Sequence, residues 1–478
     1  MNTAVKPKFF KHIHANQALS YDDVLEADSR QVPDVIRDTG VPDVRDIGPF
    51  QVPTRWYLDR AIHELEVEKI WKKTWQYACR SADIPEVGDT FLYEIAGMSF
   101  IIVRAEPDLI KGYWNACLHR GVALRKCSGK VDRLQCPFHG FTWGLDGKNQ
   151  VITQPEDFPH IDPENFSLPE IKIGEWDGFI FINADLDAEP LERYIGTLPD
   201  QFARWPWAKR HQVLKFAKIF PANWKALQEA FMESFHVLVT HPQQVPMTSD
   251  RCSQFGIYGN FSRGVVVTGY THEYMARTPD EQEMWDRFNG LWDDEERPAE
   301  FMLPEGKTAR GALADRAREA LAPLVGEAAD AFSDTELIDV FYWSLFPNFH
   351  PFGYNWAPML YHFYPNGDDH ASSVMEITVF TPTGRDEPSP PTAPTIWVPD
   401  GKDFTSIEEL GALGPFLSQD IGIMDRVMKG IRNNQNGYVN FGRYHESKIR
   451  HFYSVYEHQL GLSASEEISR FSAARDSS

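Results

Sequence analysis

The sequence predicts an α+β protein in which a small all-β domain precedes a longer mixed domain. A chain of 478 residues exceeds the size of one ordinary core, which indicates two or three domains. One segment alternates short apolar runs with Gly, Pro and Asp turns, which is typical of antiparallel strands, whereas later segments mix helical and strand-like patterns. We divide the chain into an N-terminal arm (1–50), a helical lead-in (51–83), the β domain (84–188) and the mixed domain (189–478).

The first two segments are assigned from polarity and periodicity. Residues 1–50 are polar and carry no apolar run of signal-peptide length, so we expect an exposed arm. The stretch AIHELEVEKIWKKTW, residues 61–75, places Ile62, Leu65, Ile70 and other apolar side chains at helical spacing. We expect this lead-in helix to pack on the mixed domain.

The mixed domain shows further helical and strand-like patterns. Helical patterns cover 223–241, 308–332, 415–432 and 441–460, and a strand-like pattern covers 373–384. The proline-rich stretch DEPSPPTAPT, residues 386–395, predicts a loop, because proline cannot donate to a strand ladder.

Composition excludes some classes of partner. The formal net charge of −22 argues against general affinity for nucleic acid or for an anionic membrane. No stretch approaches the roughly 20 apolar residues that span a bilayer. Five cysteines, an odd number, are unsuited to a disulfide framework. We expect a cytoplasmic protein in which clustered cysteines bind metal.

Four side chains in the β domain form the first candidate metal site. Cys117 and His119 are one residue apart, and after a gap of 16 residues Cys136 and His139 follow in a C-x-x-H pattern. Two loops that each supply one thiolate and one imidazole fit a Rieske [2Fe-2S] centre. A zinc site can use the same ligand types, but zinc modules usually pair Cys with Cys and His with His. Cys127, between the two loops, is expected to be a free or buried thiol.

A second candidate site lies in NWKALQEAFMESFHVLVTHP, residues 223–242. On a helix, Glu229, Glu233 and His236 would share one face, and His241 follows just before Pro242, where the helix should end. Two histidines and a carboxylate form the facial triad of non-haem iron(II) oxygenases. The third ligand must come from elsewhere in the chain.

Together the two motifs resemble those of the catalytic, or alpha, subunits of Rieske non-haem iron ring-hydroxylating oxygenases. The resemblance covers about residues 55–460, through both motifs, their order and their separation. The family's N-W-K, acid, His and His positions correspond here to Asn223, Trp224, Lys225, Glu233, His236 and His241. The resemblance implies a Rieske domain ahead of a helix-grip-like catalytic domain, one [2Fe-2S] cluster per chain, and one Fe(II) per chain held by His236 and His241.

In this family the third iron ligand is an aspartate on a late helix, here within PFLSQDIGIMDRVMKGI, residues 415–431. Asp420 falls in line with the apolar and therefore inward-facing side chains, whereas Asp425 lies further round the helix. A buried acid is costly unless it is paired or bound to metal. We predict Asp420 as the ligand, with Asp425 as the alternative.

The resemblance also implies an assembly and an electron path. A ring of three subunits, as a homotrimer or with a small beta subunit as α3β3, brings the cluster of one chain close to the iron of the next. Glu233 would bridge His139 of one subunit and His236 of its neighbour. The usual residue there is aspartate, so Glu229 is a second candidate for the bridge. NAD(P)H would deliver electrons only through a separate reductase, with or without a ferredoxin, because the chain lacks a G-x-G-x-x-G motif.

The substrate prediction rests on apolar residues near the proposed iron ligands, namely Ala230, Phe231, Phe235, Val237 and Leu238. The resemblance to the family implies that the protein uses O2 to hydroxylate a hydrophobic, aromatic small molecule, as in aromatic hydrocarbon catabolism. Aromatic side chains can also cage a quaternary ammonium group, which favours a monooxygenase or demethylase acting on a quaternary amine or an N- or O-alkyl group. A redox carrier that has lost the mononuclear iron is the alternative outside catalysis.

Overall fold

The structure is a computed structural model that describes residues 20–275, 277–291, 297–355, 358–383 and 392–476. Its strands are β1 (Gln51–Pro53), β2 (Gln76–Arg80), β3 (Asp89–Ile95), β4 (Met98–Glu106), β5 (Leu109–Trp114), β6 (Gly129–Lys130), β7 (Leu134–Gln135), β8 (Thr142–Trp143), β9 (Asn149–Val151), β10 (Glu170–Trp176), β11 (Phe179–Asn183), β12 (Arg210–Phe220), β13 (Thr248–Tyr258), β14 (Phe261–Thr268), β15 (Val340–Leu345), β16 (Phe349–Phe352), β17 (Met359–Asn366), β18 (Asp369–Pro382), β19 (Thr395–Trp397) and β20 (Tyr438–Asn440). Its α-helices are α1 (Tyr21–Glu26), α2 (Asp34–Arg37), α3 (Arg55–Leu58), α4 (Arg60–Glu66), α5 (Leu191–Ile195), α6 (Leu198–Phe202), α7 (Trp224–Glu229), α8 (Val237–Thr240), α9 (Glu281–Phe288), α10 (Ala309–Val325), α11 (Asp334–Ile338), α12 (Leu413–Ile421), α13 (Met424–Asn433), α14 (Ser447–Leu460) and α15 (Ala464–Asp476).

The predicted small β domain is built from two sheets. A seven-stranded sheet has the order β2-β11-β10-β5-β4-β3-β6, and a three-stranded sheet has the order β7-β8-β9. Alternate side chains of a strand face one side of the sheet, which explains the alternating apolar pattern. On β4, Ile101 and Val103 face the loops that carry Cys117 and Cys136 and pack against them. The predicted strands through this region are confirmed.

The mixed domain is organised by an eight-stranded sheet of order β13-β14-β15-β16-β17-β18-β12-β19. Its neighbours pair antiparallel except β12 and β19, which run parallel. Helix α7 packs on β17 and β18, and α13 packs on α7. The helices predicted at 308–332, 415–432 and 441–460 are present as α10, as α12 with α13, and as α14. Most of the predicted loop at 386–395 lies outside the described residues.

The prediction of an exposed N-terminal arm is wrong for residues 20–50. Tyr21, Val24 and Leu25 on α1 are buried in the apolar cluster of the mixed domain. The Asp28 carboxylate accepts hydrogen bonds from the backbone amides of Asp334 and Thr335, at the start of α11. This segment is therefore part of the folded body of its own chain.

The lead-in is helical only in its first part. After α4 the chain forms a π-helical turn over Val67–Trp71, and β2 then joins the sheet of the β domain. Trp71 packs against Trp224, with ring centroids 4.9 Å apart, so the lead-in contacts the mixed domain. Within the described residues, no helix combines the length and apolarity needed to cross a bilayer.

Candidate metal centres and the cavity between the helices

Two loops of the β domain place the first ligand set, and both loops fold alike. Each cysteine carbonyl accepts a hydrogen bond from a glycine amide, Cys117 from Gly121 and Cys136 from Gly140, at 2.8 and 3.1 Å. Both glycines have φ near +78°, in the left-handed region that side chains rarely adopt. The repeated turn is the local reason that a glycine follows each Cys/His pair.

The four predicted cluster ligands lie together. The thiols of Cys117 and Cys136 are buried, not joined in a disulfide, and in contact with each other. The rings of His119 and His139 have centroids 4.8 Å apart, and Nδ1 of His139 is buried without a hydrogen-bond partner. Buried ring nitrogens normally have a partner, so an unpaired one in the same loops as two buried thiols fits a metal–sulfur group.

The electrostatics of these loops favour neutral nitrogen but divide the two sulfurs, since burial raises the pKa of the Cys117 thiol above its usual value. Burial acts to raise the pKa of the Cys136 thiol, but the backbone amides of Phe138 and His139 lower it below the usual value. Burial and the Arg120 guanidinium, whose Nη2 lies 3.1 Å from Nε2 of His139, lower the pKa of that imidazole. Metal ligands must be deprotonated, and the lowered pKa values of Cys136 and His139 favour that state. Cys127 is exposed and free, as predicted.

The second ligand set is held by a broken helix, which corrects the prediction of one helix over 223–241. Helix α7 ends at Glu229 and α8 begins at Val237. Between them the Glu233 carboxylate accepts hydrogen bonds from the backbone N–H of His236, at 3.0 Å, and from its Nδ1, at 2.7 Å. A side chain that satisfies backbone donors in this way competes with a continuous helix.

The break brings His236, His241 and Asp420 together. One ligand atom from each side chain lies within 4.8 Å of the others. The Nε2 atoms of His236 and His241 lie 3.3 and 2.6 Å from Oδ1 of Asp420. Asp420 lies on α12 with 6% of its surface exposed, whereas Asp425 is exposed and pairs with Lys429. Of the two predicted aspartates, the structure places only Asp420 beside the histidines.

This group of side chains attracts a cation. Burial acts to lower the pKa of His236, but the carboxylates of Glu233 and Asp420 raise it to about 10. The two histidines hold the pKa of the buried Asp420 carboxyl below its usual value. These carboxylates favour positive charge at the site, which either a proton or a metal ion can supply. Two imidazoles and one carboxylate are the donor set of a divalent iron.

Glu229, the second candidate for the bridge between subunits, does not lie beside the histidines. Its carboxylate accepts hydrogen bonds from the hydroxyls of Tyr57 and Tyr453, in the protein interior. Burial raises the pKa of Glu229 to about 7, although those two hydroxyls act to lower it. Glu233, by contrast, is in direct contact with His236.

A cavity of about 100 Å³ opens beside the three side chains. Its aromatic lining residues are Phe231, Tyr342, Phe352, Tyr361 and Phe416, its aliphatic ones Ala230, Val237, Val266 and Val340, and its polar ones, apart from the triad and Glu233, Ser234, Gln244 and Thr248. Among the described residues the lining includes no lysine or arginine.

Three of the five predicted pocket residues, Ala230, Phe231 and Val237, do line this cavity. The prediction is wrong for Phe235 and Leu238. Phe235 is 52% exposed and stacks on His445, and Leu238 is not part of the lining. Phe235 lies in the break between α7 and α8, which sequence periodicity could not anticipate.

Sequence reasoning missed two glutamines at this site. Gln419 and Gln243 both lie close to His241, and Oε1 of Gln419 is 2.7 Å from its Nδ1. Gln419 directly precedes Asp420 in the chain, but nothing in its residue type marks it as functional.

Family models match both halves of the chain. A Rieske [2Fe-2S] domain model matches residues 74–163, and a model for the ring hydroxylating alpha subunit catalytic domain matches residues 202–462. The chain belongs to the ring-hydroxylating alpha-subunit family. Its fold is a Rieske domain followed by the family's α+β catalytic domain, as predicted. Its cofactors are the [2Fe-2S] cluster of the one and the mononuclear iron of the other.

Individual relatives share less. The oxygenase subunit of carnitine monooxygenase from Escherichia coli K12 is 30% identical over 198 residues, which cover 40% of this chain and 52% of that protein. The alpha subunit of 2-aminobenzenesulfonate 2,3-dioxygenase from an Alcaligenes species is 27% identical over 189 residues, or 38% and 48%. The chain thus spans about half the length of the curated relatives it matches.

A solved structure extends the likeness in fold. The quaternary ammonium Rieske monooxygenase in complex with L-carnitine has a TM-score of 0.61 at 16% identity, covering 87% of this chain and 97% of that one. At this identity the match shows a common fold alone.

Proposed function

We propose that this chain is the terminal oxygenase component of a Rieske-type oxygenase. The single observation that carries the proposal is that His236, His241 and Asp420 meet at the wall of an aromatic cavity, in a chain that also carries the four Rieske ligands. When bound, the cluster relays electrons and the iron(II) activates dioxygen. The chain's own residues hold these groups, shield the site from water and orient the substrate.

Each side chain has a defined role in this proposal. Cys117, His119, Cys136 and His139 hold the cluster, and His236, His241 and Asp420 hold the iron. An iron held by three protein ligands would have positions free for dioxygen, and the cavity beside these ligands would hold the substrate. Apolar walls exclude water and favour a hydrophobic substrate. In a monooxygenation, one oxygen atom enters a C–H bond and the other leaves as water, with two electrons from the donor and two protons.

Glu233 is the residue that we propose as the bridge between subunits. Its contact with Nδ1 of His236 fixes that imidazole with Nε2 toward Asp420. In a ring of three chains, the same carboxylate would accept a hydrogen bond from the neighbour's His139. A homotrimer or an α3β3 assembly both provide this geometry.

The electron donor would dock on the exposed loops of the Rieske domain. The stretch 111–139 carries Lys111, Arg120, Arg125, Lys126, Lys130 and Arg133 against one acid, Asp132. Lys111 and Lys130 pair with Glu170 and Glu86, which leaves the exposed Lys126 and Arg133 for an acidic partner. A separate reductase, alone or with a ferredoxin, supplies such a surface by charge complementarity.

We propose a quaternary amine as the substrate class. The carnitine monooxygenase relative and the ring of aromatic side chains around the cavity support this choice over a neutral aromatic substrate. Aromatic faces attract a methylated ammonium group by cation–π interaction, and no lining lysine or arginine among the described residues opposes its charge. Oxygen insertion next to nitrogen would release an amine and a carbonyl compound.

A neutral aromatic ring is the second candidate, because the aliphatic lining and the dioxygenase relative favour it. Turnover under labelled dioxygen separates the two. One labelled atom in the organic product and one in water indicates monooxygenation, whereas two in the product indicates dihydroxylation.

The experiment that tests this proposed function is metal analysis of the purified chain, together with visible spectra and EPR spectra of the reduced protein. About three irons and two sulfides per chain, with a Rieske signal, are expected. About two irons per chain would contradict the mononuclear site and favour a redox carrier. Zinc in a colourless protein would contradict both sites.

A further inference from the structure

Two glutamines form a reciprocal amide pair beside His241. Nε2 of Gln243 donates to Oε1 of Gln419 at 2.7 Å, and Nε2 of Gln419 donates back to Oε1 of Gln243 at 3.5 Å. In this pair the oxygen of the Gln419 amide accepts from Gln243 and its nitrogen donates, so the same oxygen is the end that faces His241. That oxygen lies 2.7 Å from Nδ1 of His241.

The orientation of the Gln419 amide determines the protonation of His241. A carbonyl oxygen can only accept a hydrogen bond, so Nδ1 of His241 must carry the proton. In the neutral ring the lone pair is then on Nε2, which lies 2.6 Å from Oδ1 of Asp420. Two acceptor atoms at this distance repel each other unless a cation lies between them. The arrangement therefore prepares Nε2 as a metal ligand.

The two histidines of the site have different partners. Nδ1 of His236 meets the carboxylate of Glu233, whereas Nδ1 of His241 meets a neutral amide. A second carboxylate in place of Gln419 would add another negative charge to a site that already contains Glu233 and Asp420. The amide selects the same tautomer without that charge.

We propose that Gln419 is a positioning residue that fixes His241 as its Nδ1–H tautomer with Nε2 toward the iron, and that Gln243 holds the Gln419 amide in place. This inference rests on the iron site proposed above. Gln419 does not line the cavity, so its effect on substrate is indirect and passes through His241.

The test compares Gln419→Met, Gln419→Glu and Gln243→Met in the full chain with its Rieske cluster. Methionine keeps the volume but removes the acceptor, and glutamate keeps an acceptor. Competition with a chelator measures Fe(II) affinity. We expect Gln419→Met to lose about 10- to 100-fold in affinity, Gln419→Glu to stay within about threefold of the parent, and Gln243→Met to fall between them. In turnover, kcat should fall for Gln419→Met with KM unchanged.

Two results would overturn the inference. Gln419→Met could bind iron as tightly as the parent chain, or Gln419→Glu could lose as much affinity as Gln419→Met, which would exclude the hydrogen bond as the cause. His241→Ala, measured in parallel, distinguishes failure of this inference from failure of the proposed iron site. If His241→Ala also retains iron, the iron site itself is wrong. An unchanged Rieske absorbance and melting temperature verify folding, and Gln243→Met tests the same hydrogen bond if Gln419→Met misfolds.

Discussion

At the cluster loops the sulfur ligands are buried and His139 is half-buried at the surface, whereas at the helix break His241 is fully enclosed and Asp420 nearly so. The charged neighbours of the two centres also differ. Arg120 lies beside His139, and Glu233 lies beside His236. An exposed imidazole with a basic neighbour suits electron exchange with a partner, and an enclosed site with carboxylates suits a cation and a substrate shielded from water.

The largest expected effect separates the two centres completely. His241→Ala removes an imidazole from the enclosed site and leaves the cluster loops untouched. We expect turnover to fall to background, mononuclear iron to be lost, and the visible and EPR signals of the cluster to stay unchanged. The exposed His458→Ala serves as a matched control and should retain activity. Turnover that survives His241→Ala would contradict the iron assignment.

Glu233 tests whether the centres communicate through this carboxylate. Glu233→Gln keeps the size of the side chain but weakens its contact with Nδ1 of His236. We expect a decrease of about 10- to 100-fold in turnover, with both metal contents retained, and single-turnover reduction of the iron should slow in parallel. Glu233→Asp, the residue usual in the family, should retain most of the activity. If Glu233→Gln reduces only iron content, the residue positions His236 and does not bridge subunits.

The contrast also explains which parts of the site could be predicted from sequence. The four candidate cluster ligands lie in two short turns, so their spacing predicted them, whereas His236 and His241 were predicted as iron ligands from the resemblance to the family. The family's late-helix aspartate, together with an apolar helix stripe, predicted Asp420. The helix break could not be predicted, because it depends on where the Glu233 carboxylate finds its donors. For that reason the predicted pocket position of Phe235 does not match the structure, in which this side chain is 52% exposed.

Long-range contacts account for the other differences. Gln419 lies 178 positions from His241, and no periodicity connects the two. Ser29 and Asp334 are 305 positions apart, yet the side chain of Ser29 donates to Asp334 at 2.6 Å. Polar composition predicted an exposed arm, but burial of Tyr21 and Val24 depends on a surface formed much later in the chain.

A smaller effect is expected from the cavity wall. Tyr361→Leu removes one aromatic face while the site stays enclosed. Choline and its neutral isostere 3,3-dimethylbutan-1-ol differ in charge but hardly in shape. We expect calorimetric binding of choline to weaken by about three- to thirtyfold, with a much smaller change for the neutral isostere. Equal changes for both would contradict the aromatic cage and favour a neutral substrate.

The smallest effect concerns stability and the buried carboxyl of Glu229. Because its pKa in the folded chain, about 7, exceeds that of the unfolded chain, folding is penalised as pH rises through that interval. The parent chain should therefore lose on the order of 2 kcal/mol of folding free energy between pH 5 and pH 8 relative to Glu229→Gln. Glutamine still accepts from Tyr57 and Tyr453, so the contacts are conserved.

Melting temperatures of both chains across this range provide the measurement, with Glu170→Gln as the control on the Rieske side. Glu170 forms an exposed ion pair with Lys111, and such pairs contribute little to stability. We expect the curve of Glu170→Gln to follow the parent's at every pH, and that of Glu229→Gln to diverge from it progressively between about pH 5 and pH 7. If the melting temperatures of the two variants depend on pH in the same way, the buried position of Glu229 has no effect on stability, and the prediction is wrong.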